Sequence, residues 1–403
     1  MHSATSTASR TAASGRPGAT FARRRLRLGI TGVGASVVLS FALLIATLAG
    51  AVPLTAEWRV VKGPIGVPLT AAALALALFV GHAALLAVVE HTGGRRAVRT
   101  TPSLGAWVSA WLRGVVVLGS LMVVSTSAVA TAGAIAGTVG AAATSCGIAF
   151  ALLLMQAPLA RLTAALTVSV PSEDVVATAQ QAGIDAVTLR VVDANDEAVV
   201  GGWMGWGAHE LWIPAWWTRA EHADLLLVQL HRRAAQRISR GRQRGWFRAA
   251  LWPAIGVLLT ASLMPYSWQD ARLWLLLPAL GTIWSFAAVV LLPSMSRPVV
   301  HYADALAARA VGTTRTMAAI ARLDAAQDDE PERSPVVEVI FHPVPSVANR
   351  RRRLLADRVP PNGGGHQQTR LTLFASLAAG SVLGRMVHCN IGRPALWVAY
   401  PGD

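Results

Sequence analysis

Ala223-Asp224-Leu225-Leu226-Leu227-Val228-Gln229-Leu230-His231-Arg232-Arg233-Ala234-Ala235 is an amphipathic helical stretch. Leu227, Val228 and Ala235 flank His231 at helical spacing, so the imidazole faces an apolar surface. Thr218, with Glu221 three residues on, has the spacing of a capping box and predicts where this helix opens. Downstream the arginines continue to Arg248 and then give way to two long apolar runs, Ala249 to Met264 and Leu273 to Leu292, separated by Pro265 to Arg272. A polar helix feeding directly into an apolar hairpin predicts a lobe interrupted by membrane spans.

The rest of the chain agrees. Of 403 residues 53% are hydrophobic and 14% charged, where a soluble domain carries about 25% charged residues. Mean hydropathy is +0.46. Further apolar runs cover Gly29 to Leu54, Gly66 to Val89 and Leu112 to Leu159. Roughly 20 residues suffice to span a bilayer, and the last run has room for two helices turning in the Gly- and Ala-rich stretch Ala132 to Ala143. The count is about six spans. Arginines gather before the first span (Arg23, Arg24, Arg25, Arg27), between the second and third (Arg95, Arg96, Arg99), ahead of the fifth and after the sixth (Arg350 to Arg353). With six spans all four clusters fall on one face, which the positive-inside rule makes cytoplasmic. This predicts a multi-pass protein of the cell inner membrane with both termini cytoplasmic and the lipid bilayer as its first partner. The net charge of +15 is explained by those flanks, so nucleic acid is excluded as a partner. Cys146 and Cys389 form no disulfide framework.

The expected fold is mainly α, with a small α+β lobe. A basic N-terminal tail occupies 1–27, four spans 28–159, the first part of the lobe 160–248, the later hairpin 249–293 and the second part of the lobe 294–358. A linker and short apolar helix follow in 359–403. In the lobe, Leu166 to Val170, Ala186 to Val192 and Val199 to Ile213 read as strands, with turn residues Asp193 to Asp196 between the last two. Ser172 is placed to cap a helix with acids in its first turn, and Val299 to Ala326 reads as helical. Leu371 to Val387 is apolar but carries Arg385 and two glycines; a short helix against the lobe or the membrane surface is expected there, a seventh span being the alternative.

Four local matches recur in a fixed order: the strand pair Gly201 to Pro214, the run into His231, His301-Tyr302-Ala303-Asp304-Ala305-Leu306-Ala307-Ala308, and His342-Pro343 followed by Arg350 to Arg353. Together they resemble the membrane-embedded gluzincin peptidases of the HtpX and CAAX-prenyl-protease type over roughly residues 160 to 356. The resemblance implies a zincin-like lobe in which two histidines at i and i+4 and a glutamate on a second helix bind zinc, with a glutamate base beside the first histidine. At those positions this chain has His231 and Ala235 for the histidines, Tyr302 for the third ligand and Arg232 for the base. Only His231 is retained. Asp304 matches the aspartate behind the metal ligands. The strand pair, with Trp203, Trp206, Leu211 and Trp212, matches the edge that aligns extended substrates by strand addition.

No other set of three donors converges. His222 is nine residues from His231, Asp224 lies two turns away, and His209 and Glu210 point to opposite faces of a strand. The expectation is therefore no confident catalytic residue, no metal and no cofactor. The protein would be an inactive relative acting as a binding, scaffold or regulatory protein, with a protein or peptide partner. In the vacated pocket Arg232 is expected to pair with Asp304. The alternative is an active protease with rearranged zinc ligands. A transporter is disfavoured by the scarcity of ionisable residues in the spans. Oligomeric state has no sequence signal.

Overall fold

The computed structural model describes residues 21–52, 65–96, 102–164, 166–184, 188–193, 199–206, 208–327, 329–356 and 358–398. Most of the expected N-terminal tail, Arg99 and the turn at 194–198 lie outside the described residues.

Among the described residues, five helices are long and apolar enough to cross a membrane: α1 (Phe21–Leu48), α2 (Gly66–Val89), α3 (Leu104–Leu154), and, after the first part of the lobe, α7 (Gly241–Leu263) and α8 (Ala271–Leu291). One of them counts twice. A straight helix rises 1.5 Å per residue, so the 51 residues of α3 would reach far beyond a bilayer core of about 30 Å. The helix breaks at Gly137, whose φ of 66° and ψ of −162° are non-helical. Residues either side of the break pack together: Val129 and Ala130 share an apolar cluster with Ala141 and Ala142, and Leu118 and Met122 share one with Ala149 and Leu152. Val38, Ile45, Leu69, Val88, Val116, Val124, Ile135 and Val139 are exposed, an apolar outer surface suited to lipid.

Between the two groups of spans come α4 (Gln156–Ala164), β1 (Thr167–Ser169), α5 (Glu173–Gln181), β2 (Thr188–Asp193), β3 (Gly202–Met204), β4 (Glu210–Pro214) and α6 (Ala223–Ile238). The four strands form one sheet in the order β1-β2-β4-β3. β1 runs antiparallel to β2 (Val168 opposite Val192), β2 parallel to β4 (Leu189 opposite Leu211) and β3 antiparallel to β4 (Trp203 opposite Leu211). Beyond α8 follow α9 (Pro293–Val311), α10 (Thr313–Ala326), α11 (Pro335–Phe341), α12 (Val347–Leu355) and α13 (Gln368–Ala375). The expected helix from Val299 to Ala326 is thus divided at Gly312, where φ is 94°.

Two expectations need correction. Thr218 does not cap α6: its hydroxyl donates back to the Ala215 carbonyl at 2.8 Å, and two 3₁₀ turns, Ala215–Thr218 and Ala220–His222, precede the helix. Nor does 371–387 lie on the lobe or membrane surface. α13 and the 3₁₀ turns Ser376–Ala379 and Leu383–Arg385 are buried among the membrane helices. Leu371, Phe374, Leu377 and Ala378 join Phe79, Leu118, Met122 and Ala149 in one core, and Ser145 donates to the Ala378 carbonyl at 3.1 Å. Its glycines and polar atoms are tolerable there because protein, not lipid, surrounds them.

Candidate functional site

α6 carries the central residues. Leu225, Leu226, Val228 and Leu230 bury one face against Leu211, Ile213 and Trp217 of the sheet side and Ala307 of α9. Successive helical residues diverge by about 100°, and the arginines after His231 exploit this. Arg233 turns toward the sheet, donating to the Val200 carbonyl at 3.2 Å and to Gln236 Oε1 at 3.1 Å, over the ring of Trp217. Trp203 returns a bond from its Nε1 to the Arg233 carbonyl at 2.8 Å. Arg232 turns toward α9.

There the decisive contact forms. Arg232 Nε donates to Asp304 Oδ1 at 2.8 Å, and both side chains are enclosed, at 0% and 1% exposure. Arg232 Nη1 donates to Gln229 Oε1 at 2.7 Å. Arg350, held on α12, grips the same carboxylate with two bonds: Nε to Oδ2 and Nη2 to Oδ1, each 2.7 Å. Fork-on-carboxylate geometry of this kind is among the stronger charge-assisted arrangements. Asp304 therefore ties together α6, α9 and α12. Asp304, Arg232 and Arg350, the first arginine after His342-Pro343, meet in one buried cluster.

The other candidate residues fall around it. His231 is half-buried, and burial lowers its pKa. Ala235 is buried and offers no donor atom. Tyr302 is half-buried. His301 beside it is buried, and that burial, reinforced by Arg353, Arg350 and Arg297 against the pull of Asp304, lowers it to about 4. His222, Asp224, Glu210 and His342 are engaged elsewhere, and His209 is exposed. His222 Nδ1 meets Arg322 Nη2 at 2.9 Å, Asp224 pairs with Arg315 at 3.3 Å, and Glu210 pairs with Arg161 at 3.0 Å. The buried ring of His342 lies 4.8 Å from that of His388.

A catalytic zinc needs three N, O or S ligands and an open position. Among the described residues, no group of three His, Cys, Asp or Glu side chains is placed to hold a metal ion. At the motif positions the guanidinium of Arg232, which has no acceptor atom, fills the space facing Asp304. The residues present do not fit a zinc centre. Of the strand pair, Leu211 and Trp212 lie on β4, hydrogen-bonded on both sides, while β3, which carries Trp203, is at the sheet edge with all three of its residues buried. Trp206, 39% exposed, lies just beyond and stacks edgewise on Trp246.

The chain is similar in fold to Ste24p. The crystal structure of S. mikatae Ste24p superposes on 84% of this chain and 100% of that one, with a TM-score of 0.51 and 11% sequence identity. At this identity the likeness concerns the fold alone: a mostly helical architecture with several membrane-length helices and a small mixed sheet. No protein-family model matches the chain, and no curated protein matches it in sequence.

Sequence reasoning missed the parts played by Arg350 and Gln229. Gln229 was findable, since a residue three before an arginine on a helix shares its face. Arg350 was not, because nothing local distinguishes it from Arg351, Arg352 and Arg353.

Proposed function

We propose that this protein is a membrane-embedded relative of zinc metalloendopeptidases that has given up metal-assisted hydrolysis and serves as a binding, scaffold or regulatory protein. The observation that carries this reading is the bond from Arg232 to Asp304. An arginine where the general base belongs supplies no proton acceptor, and its charge would repel a divalent cation seated at His231. The exposed Trp206, just beyond β3, is the part of this strand pair that a peptide or protein partner could reach.

Orientation follows from charge. Arg23 pairs with Glu330, and Arg25 donates to the Gln327 carbonyl at 2.8 Å, which sets the arginine-flanked start of α1 beside the lobe. Placing arginine-rich ends on the cytoplasmic face puts the lobe and both termini in the cytoplasm of a cell whose inner membrane holds the spans.

The test is elemental analysis of the purified full-length protein beside a protease assay on an unfolded polypeptide. The expected result is far less than one zinc per chain and no cleavage. Stoichiometric zinc that disappears in His231→Ala, or cleavage abolished by that substitution, overturns the proposal.

A further inference from the structure

The interior of the membrane bundle holds a cavity unrelated to the peptidase-like positions. Its walls are apolar on most sides, with Phe79 and Leu118 from the spans and Leu373, Phe374, Leu377 and Trp397 from the C-terminal segment. Arg370 and Arg385 are its two charged lining residues. The cavity measures about 440 Å³ including its open mouth.

Arg385 is the unusual element. Its side chain is 1% exposed and its Nε lies 3.4 Å from Glu90 Oε1. Phe79 and Trp397 cover it, their ring centroids 5.7 and 5.1 Å from the guanidinium carbon. Its Nε, Nη1 and Nη2 are all buried and hydrogen-bond to no described residue. Glu90 is itself occupied in part, accepting from Trp111 Nε1 at 2.6 Å. A guanidinium has five N–H donors, and leaving buried donors unmet costs about 1–3 kcal/mol each. Such a group, lining an otherwise apolar hollow, calls for acceptor oxygens from outside the chain.

We infer that this cavity is a binding site for an oxyanion head, a phosphate or carboxylate, whose oxygens accept from Arg385 beside Arg370. Two guanidinium groups line the hollow; Glu90 pairs with Arg385 at 3.4 Å without hydrogen-bonding it, so an oxygen-rich anionic head is what would meet the remaining donors. A hollow of this size has no room for a whole lipid, so a chain attached to the head would stay outside the mouth. Glu90 lies in the short π-helical turn Glu90–Gly94 that ends the second span, close to the depth at which phospholipid headgroups lie.

The inference is tested by native mass spectrometry of the full-length, delipidated protein. The added probes are equimolar phosphatidylglycerol and phosphatidylcholine, and separately inorganic phosphate. Wild type should retain phosphatidylglycerol over phosphatidylcholine by about fivefold, the worth of roughly one added cation. Glu90→Gln/Arg385→Gln, which removes both charges at nearly constant volume, should lower the ratio while the melting transition persists, Arg370 being left in place. Should that double variant fail to fold, Arg370→Gln leaves the Glu90–Arg385 pair in place and must lower the ratio. Retention of inorganic phosphate by wild type and not by the variant assigns the site to a free oxyanion; retention of the lipid alone assigns it to a headgroup. No preference in wild type for either probe, or a preference unchanged in the variants, overturns the inference.

Discussion

Arg232 and Asp304, separated by 72 residues and the α7–α8 membrane hairpin, meet at 2.8 Å with both side chains buried. Truncating one partner of such a pair leaves a charge in a medium that cannot solvate it, at a cost of about 3–5 kcal/mol. Asp304→Ala strands Arg232 and Arg350 together and should lose stability on that scale in a denaturant or thermal melt. Arg232→Gln should cost less, because Arg350 still holds the carboxylate with two bonds. Equal losses in the two variants would show that Arg350 does not carry the pair.

Acid should weaken the lobe. Burial lowers both His301 and His342 from 6.5 to about 4; for His342, Arg333 and Arg297 reinforce this while Asp329 and Glu338 oppose it. The unfolded chain takes protons on both rings below about pH 6.5 and the fold does not, so stability falls as pH drops from there toward 4. Asp324 works in the opposite sense. Burial and the neighbouring Asp329 raise it from 3.8 to about 7 against the pull of Arg333, so its contribution is present at low pH and lost as pH rises through 7. Two rings outweigh one carboxyl. His342→Gln should flatten the acid limb of a plot of melting temperature against pH, and an unchanged limb counts against it.

The C-terminal segment is fitted to the bundle at backbone contact distance. A Cβ on Gly281 would lie 2.4 Å from the Ala379 carbonyl oxygen, and overpacking a fitted core costs about 1–3 kcal/mol. Gly281→Val should therefore loosen 366–398 and speed its removal in limited proteolysis, with α8 left intact. Proteolysis at the wild-type rate would mean the segment is not held there.

Membrane orientation can be read with a single cysteine. Val336 is exposed on the lobe. In a protein lacking Cys146 and Cys389, Val336→Cys should react with a membrane-impermeant maleimide only after the inner membrane is opened. Labelling in intact spheroplasts would invert the proposed topology.

The sequence by itself determined what depends on neighbouring residues. Spans follow from runs of apolar side chains, the break at Gly137 falls inside the stretch where a turn was expected, and that positions 232, 235 and 302 carry Arg, Ala and Tyr is a matter of residue identity. The expected pairing of Arg232 with Asp304 was legible because two motifs were read together. Tertiary structure decided the rest. Arg350, not its three neighbours, reaches Asp304 because α12 presents one arginine inward and three outward. Thr218 does not cap α6 because two 3₁₀ turns intervene and the helix begins only at Ala223. The segment 366–398 enters the bundle because helices from three distant parts of the chain leave room for it and cover its polar atoms. A local pattern can state that a segment is apolar enough to be buried, but only long-range packing settles against what.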